Sequence, residues 1–331
     1  MIFESRAYAR AGLLGNPSDG YFGKTISIVV RNFGAHISLY ESPELQIEQQ
    51  QEDRNIFRNV YQLVETVNLT GYYGGDRLVK AAIKKFCEYC DKKSIRLHSK
   101  NFTVRYRSSI PRQVGLAGSS AIITGTTKAL MAFYHVEIEE TELPGLILSV
   151  ETDELGINAG LQDRVIQVYE GCVFMDFDRA LMEKQGHGNY EQLDAELLPN
   201  LYIAYKVNLG KVSGAVFNDV KSRFEDGEPL VVDTLAEMAH VAEDGRKAIL
   251  DGDQQLLAEL INKNFDLRTK IFNISASNLE LVNTARKCGA SAKFTGSGGS
   301  VIGTYQNDET LRCLVINMQK INARVIKPFI I

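Results

Sequence analysis

No apolar stretch in the 331 residues approaches the roughly 18 needed to cross a bilayer, so no membrane span is expected. Basic charge is not in excess either. Lys and Arg number 37 against 41 Asp and Glu, and the net charge of −4 gives no electrostatic reason to expect nucleic acid as a partner. An anionic ligand would need a local basic pocket. Nothing at the N-terminus reads as a signal peptide, because Arg6 and Arg10 interrupt any apolar run, and the five cysteines are an odd, scattered set. The expected compartment is the cytoplasm. Cys87 and Cys90 form a C-x-x-C, but the remaining cysteines stand alone and no His is spaced to complete a zinc site. A redox motif belongs at a helix N-terminus, whereas this pair lies inside the helical pattern of Leu78, Ala82, Lys85, Phe86 and Tyr89, so it reads as structural. Internal repeats and low-complexity stretches are also missing.

What is present suffices for a sizeable core: 44% of residues are hydrophobic, enough for one large or two modest domains, of which two is preferred. Residues 26–30 and 35–40 are β-rich runs separated by Asn32, Phe33 and Gly34, the pattern of a hairpin or tight meander. Helices are expected over 54–69, 77–92 and 119–134, then from Pro144 to near Gly156 and over 161–169, with strands at 101–106 and 172–177. The polar segment 178–199 is the candidate domain boundary. Beyond it come a strand at Leu201, helices over 233–250, 253–271 and 277–288, and strands at 292–295, 300–305 and 323–328, an α+β arrangement.

The sharpest local feature is a glycine-rich turn that empties into a helix, Pro111-Arg112-Gln113-Val114-Gly115-Leu116-Ala117-Gly118-Ser119-Ser120-Ala121. Gly115 and Gly118 let the main chain approach an anion, the helix N-terminus favours negative charge, and the serines add hydroxyls for phosphate or a divalent cation. An ordinary serine-capped helix is the plainer alternative. A second cluster, Thr295-Gly296-Ser297-Gly298-Gly299-Ser300, lies between two strand-like pieces and is either a tight hairpin or a second close approach to a ligand. Ser18 to Thr25 misses a Walker A loop by one residue, and the β-branched run that follows is the wrong context. Lys24 is then a solvated loop charge or a ligand contact.

In this order, Ala9-Arg10-Ala11-Gly12-Leu13-Leu14-Gly15-Asn16, Gly115-Leu116-Ala117-Gly118-Ser119-Ser120-Ala121 and Lys293-Phe294-Thr295-Gly296-Ser297-Gly298-Gly299 resemble the three signature motifs of the galactokinase, homoserine kinase, mevalonate kinase and phosphomevalonate kinase (GHMP) superfamily. Ala117 replaces the usual central glycine, which a negative φ would tolerate. With Gly15-Asn16-Pro17-Ser18-Asp19, Tyr21-Phe22-Gly23-Lys24-Thr25, Gly71-Tyr72-Tyr73-Gly74-Gly75 and Gly160-Leu161-Gln162-Asp163-Arg164-Val165, the set is similar to the glucuronokinase branch. The resemblance implies an α+β, two-domain fold, with an N-terminal domain like the second domain of ribosomal protein S5 and a C-terminal ferredoxin-like domain. The corresponding division is 1–190 for ATP binding and catalysis and 191–331 for the C-terminal domain. It also implies ATP and Mg²⁺ as cofactors and a small sugar acid, D-glucuronate, phosphorylated at its anomeric hydroxyl. Another sugar kinase of the superfamily (galactokinase-like, galacturonate or heptose kinase), a related decarboxylase and a non-catalytic ligand sensor are the alternatives.

By the same resemblance Asp163 is the catalytic aspartate and Arg10 the basic residue beside it. Residues Gly115, Leu116, Ala117, Gly118, Ser119, Ser120, Gly296, Ser297 and Gly298 handle ATP, while Ser120 and Glu151 hold the metal, with Glu154 a rival one helical turn on. Asn16, Asp19 and Tyr21 meet the sugar. A guanidinium offers the sugar carboxylate two parallel hydrogen bonds, and of Arg164, Arg112 and Arg6 the first is favoured because it follows the catalytic aspartate. Helix capping by Asp163, a solvated Glu151 and ordinary turn chemistry over residues 16–19 are the plainer alternatives.

Overall fold

A computed structural model describes residues 1–48, 74–207 and 215–330. The helix expected over 54–69 and the Gly71-Tyr72-Tyr73 piece lie outside these residues. The chain divides into two compact units, neither a single consecutive stretch. One comprises Met1–Ala9, Phe33–Ile110 and Ala117–Ala159, the other Arg10–Asn32, Pro111–Leu116 and Gly160–Ile331.

Two long strands, β1 (Ile2–Leu14) and β2 (Lys24–Ser42), pair with each other. The expected hairpin at 32–34 is corrected by β2, which runs unbroken for 19 residues. Asn32 and Gly34 act there as hydrogen-bonding residues instead of turn formers. Asn32 Nδ2 donates to the Lys327 carbonyl at 3.0 Å and its Oδ1 accepts from Phe329 N at 2.8 Å, while Gly34 N donates to Ser109 Oγ at 3.0 Å.

In the first unit, β4 (Asn101–Ser108) pairs antiparallel with the later half of β2, Ala35 opposite Ser108, and parallel with the short β3 (Gln46–Glu48). Alternation buries Phe102, Val104 and Tyr106 from β4 and Ile37 and Leu39 from β2. Three helices pack together beside them: α1 (Gly75–Lys92), α2 (Gly118–Tyr134) and α3 (Leu143–Ser149), the last continuing as a π-turn over Val150–Glu154. Thr126 and Thr127 of buried α2 satisfy their hydroxyls on the Ile122 and Ile123 carbonyls. Cys87 and Cys90 are free thiols in α1.

In the second unit, the early half of β2 pairs antiparallel with β5 (Cys172–Asp176), which follows α4 (Gln162–Tyr169). The polar stretch after β5 is more structured than its composition suggests. It forms α5 (Arg179–Gln185), capped by Asp178, and β6 (Asn189–Leu193), antiparallel to β5. A separate antiparallel sheet has the order β10-β7-β9-β8, from β7 (Leu201–Lys206), β8 (Lys293–Phe294), β9 (Ser300–Thr304) and β10 (Ala323–Ile326). The helices of this half are α6 (Ala215–Glu225), α7 (Pro229–Leu250), α8 (Gln254–Ile271), α9 (Ala276–Lys287) and α10 (Asp308–Lys320), the last unanticipated from the sequence. Tyr202, Phe265, Leu281, Phe294, Val301 and Leu314 form a common core of this sheet with α8, α9 and α10. Cys288 and Cys313 are disulfide-bonded, tying the end of α9 to α10, so these two cysteines do not stand alone as expected. Among the described residues no helix is long and apolar enough to cross a membrane.

Candidate active site

Arg10 is a strand residue only 6% exposed, and its guanidinium is engaged through Nε and Nη1. Nε donates to Asp163 Oδ1 at 2.6 Å, and Nη1 donates to the carbonyls of Gly115 at 2.7 Å and Thr295 at 2.9 Å. Asp163 lies in the first turn of α4, where the helix dipole favours its charge. It caps nothing there. Arg164 is buried, donates from Nη1 to the Gly160 carbonyl at 2.7 Å and lies 3.6 Å from Asp163 Oδ2. Adjacent helical residues diverge by about 100°, yet the long side chain folds back to its neighbour's carboxylate.

The two glycine clusters pack against one another. The 295–300 segment is the hairpin between β8 and β9, and a Cβ on Gly296 would lie 2.6 Å from the Gly115 carbonyl oxygen. A Cβ on Gly115, whose φ is +71°, would lie 2.8 Å from the Gly298 oxygen. Thr295 Oγ1 donates to Gly115 O at 3.0 Å and Ser300 Oγ to Val114 O. Ala117 overturns its expected negative φ: it sits in the left-handed region at φ 59° and ψ 44°. That conformation costs an alanine about 1–2 kcal/mol relative to the right-handed one, and it turns the chain sharply into α2.

At the start of α2, Ser119 Oγ donates to Glu151 Oε1 at 2.8 Å, and Glu151 is 2% exposed within the π-turn. Ser120 is fully buried and donates to the Ala117 carbonyl at 3.2 Å. Glu154 pairs with Lys84 at 2.6 Å, which separates it from Glu151. One buried carboxylate beside serine hydroxyls suits Mg²⁺, a hard cation that keeps waters and takes phosphate oxygens as ligands. Among the described residues no cluster of three or more His, Cys, Asp or Glu offers an all-protein cage.

The turn after β1 carries Asn16, Asp19 and Tyr21. Asn16 is buried, its Oδ1 accepting from Lys293 Nζ, which also donates to the carbonyls of Gly12 at 2.7 Å and Phe294 at 2.8 Å. Burial pushes the Lys293 ammonium well below the usual lysine range. Asn264 of α8 holds the same turn, accepting from Gly15 N at 2.6 Å and donating to Asn16 O at 3.4 Å. Asp19 accepts from Gln162 N at 3.4 Å and lies so near Gly160 that any Cβ there would overlap it. Burial, then the charge of Asp163, raises the Asp19 carboxyl to about 6 against the pull of Arg10 and Arg164. Burial and then Asp19 push Tyr21 up to about 12, and its ring meets Phe224 edge-on at 4.9 Å.

Arg112, Arg6 and Ser297 are exposed, whereas Leu116 is buried. Lys24 is not a loop charge: it opens β2 and pairs with Glu243 at 3.3 Å and Asp176 at 3.5 Å. Sequence reasoning gave no role to Lys293, Asn264 or Arg268. Helical spacing could have flagged the last two, which fall with Leu257, Leu260, Ile261 and Phe265 on the buried face of α8.

Comparison with known proteins bears on this arrangement. The family model "GHMP kinases N terminal domain" matches residues 77–171 and "GHMP kinases C terminal" matches 246–312. The chain is 47% identical over 308 residues to Probable glucuronokinase 2 of Arabidopsis thaliana, covering 91% of this chain and 84% of that one. It is 45% identical over 305 residues to Glucuronokinase 1 of the same plant, covering 90% and 84%. Lactococcus lactis galactokinase complexed with galactose superposes with a TM-score of 0.78 over 99% of this chain and 93% of that one, and at 16% identity it speaks for the fold alone. Identity near one half over most of both sequences, with both family models matched in order, means that the chain belongs to the glucuronokinases, a branch of the GHMP kinases.

Proposed function

We propose that the chain transfers the γ-phosphoryl group of ATP to the anomeric hydroxyl of D-glucuronate, giving glucuronic acid 1-phosphate and ADP. The observation that carries the chemistry is the Arg10–Asp163 pair, a buried guanidinium at 2.6 Å from a carboxylate and anchored to both glycine loops. Phosphoryl transfer asks little covalent chemistry of a protein: it needs a positioned acceptor and stabilised charge. Asp163 accepts the hydrogen bond of the sugar hydroxyl and takes its proton as the new O–P bond forms and the bond to the ADP oxygen breaks. Arg10 holds that carboxylate in place and steadies the migrating charge. Arg164, held by Gly160, orients Asp163; Arg112, at the mouth of the glycine-rich turn, remains a candidate for the substrate's charge.

The backbone of residues 115–120 and the 296–298 turn receive the phosphates, with Ser119 and Ser120 adding hydroxyls. Glu151 with Ser120 or its neighbour Ser119 would hold Mg²⁺, which when bound neutralises charge on the phosphate oxygens. Asn16, Asp19 and Tyr21 face the ring hydroxyls. The division into residues 1–190 and 191–331 belongs to the same proposal. ADP release measured against a panel of uronic acids, hexoses and mevalonate-type alcohols tests this reading. D-glucuronate should be the preferred acceptor, and preference for a neutral hexose would overturn it.

A further inference from the structure

The hairpin that carries Gly296, Ser297 and Gly298 closes on Gly299, and the main chain of this last residue is held at both its polar groups. Its N–H donates to Asn278 Oδ1 at 3.0 Å, and its carbonyl accepts from Lys206 N at 3.0 Å. Asn278 also packs directly on the preceding residue, since a Cβ on Gly298 would lie 2.8 Å from Asn278 Nδ2. It belongs to the first turn of α9, and that turn is itself fastened to the end of β7: Lys206 Nζ donates to Ser277 Oγ at 2.7 Å and to Glu280 Oε2 at 3.1 Å. A closed circuit thus runs from Gly299 to Asn278, along α9 to Ser277, and through Lys206 back to Gly299.

The turn needs such a hold. Gly298 and Gly299 have φ of +129° and +80°, so two successive residues occupy conformations that glycine enters freely and leaves as freely. Ordering them costs conformational entropy, and a hydrogen bond from a side chain on a rigid helix offsets that cost before any ligand arrives. We infer that Asn278 is a positioning residue for ATP: by fixing Gly298 and Gly299 from α9 it keeps the 296–298 turn in the one arrangement that receives phosphate. This rests on the reading of that turn as a phosphate contact. Asn278 lies outside the three sequence motifs, and it acts through the turn, not on the reacting atoms.

The test compares Asn278→Ala, Asn278→Asp and Gly298→Ala with the unaltered enzyme, measuring Kd for ADP with Mg²⁺ by calorimetry and KM separately for ATP and D-glucuronate. A melting curve without nucleotide confirms that each variant folds. Asn278→Ala should raise Kd for ADP and KM for ATP by about 3- to 15-fold while KM for D-glucuronate stays within about twofold, the loss expected for one hydrogen bond that serves only the nucleotide. Asn278→Ser, whose hydroxyl is one bond short of Gly299 N, takes its place if the alanine variant does not fold. Asn278→Asp keeps an acceptor for Gly299 N and should recover part of the affinity, the remainder being lost to its negative charge. Unchanged nucleotide binding in Asn278→Ala, equal rises in KM for both substrates, or an aspartate variant no better than alanine would each overturn the inference. Gly298→Ala separates this from the reading beneath it, because its Cβ and its φ disturb the turn itself. If Gly298→Ala weakens ADP and Asn278→Ala does not, the role of Asn278 falls and the turn remains a phosphate contact; if neither weakens it, both fall.

Discussion

Asp163 carries the central role in the proposed chemistry, and the amide of asparagine keeps its shape without charge or basicity. Asp163→Asn should cut turnover by about 10²- to 10⁴-fold while the ATP-induced rise in melting temperature is retained; turnover within a few-fold of the parent would remove Asp163 from the mechanism. Asp19 offers a different readout. Its carboxyl is raised from an ordinary 3.8 to about 6, so the folded chain holds the proton more tightly than the unfolded one. Stability from this group is therefore present below pH 4 and is lost as the pH rises to about 6 and above. Asp19→Asn should melt higher than the parent at pH 8, with the gap closing toward pH 4, and should bind sugar less well, the trade expected where function keeps a destabilising group. Ala117→Gly relieves a left-handed alanine and should add about 0.5–1 kcal/mol in urea unfolding, less than the full strain because glycine also loosens the unfolded chain. At this scale the sequence is unevenly legible. Arg10 and Asp163 stand in motifs that announce them, whereas Lys293 is an ordinary charge in a strand until the Gly12 carbonyl, 281 residues away, meets it.

Helices were easier to foresee than strands. The spacing of α1, α2, α4, α7, α8 and α9 is strongly periodic, and each forms within a few residues of its expected bounds. The run through β2 misleads because Asn32 and Gly34 are turn formers by preference, while here distant backbone groups satisfy them in an extended strand. The disulfide was equally hidden, since a separation of 25 residues carries no pairing signal. Closing a loop of that length restricts the unfolded chain by about 3 kcal/mol, so Cys288→Ser with Cys313→Ser should lower unfolding stability by roughly that amount under oxidising conditions. Reductant should bring the parent to the same value. The α1 thiols are of another kind: burial raises both, Cys90 to about 11, which keeps them protonated at neutral pH.

For the whole molecule, the fold class was legible only through the motifs, because periodicity alone does not say that residues 10–32 group with 160–331 and 33–110 with 117–159. That interleaving means that each unit draws on both early and late stretches of the chain. A chain ended at Ala290 loses β8, β9 and β10, three of the four strands of its sheet. It should show no ADP release with any acceptor and a weakened near-ultraviolet circular dichroism signal; retained kinase activity would refute the view that the site needs the last forty residues. The reason is the reach of one side chain. Arg10 leaves the ribosome early, and the Thr295 carbonyl that fixes its guanidinium follows 285 residues later. At about 5–20 residues per second that is tens of seconds of synthesis in which the guanidinium lacks its anchor. A nascent or stalled chain is thus a silent one, unable to spend ATP before Thr295 has been made.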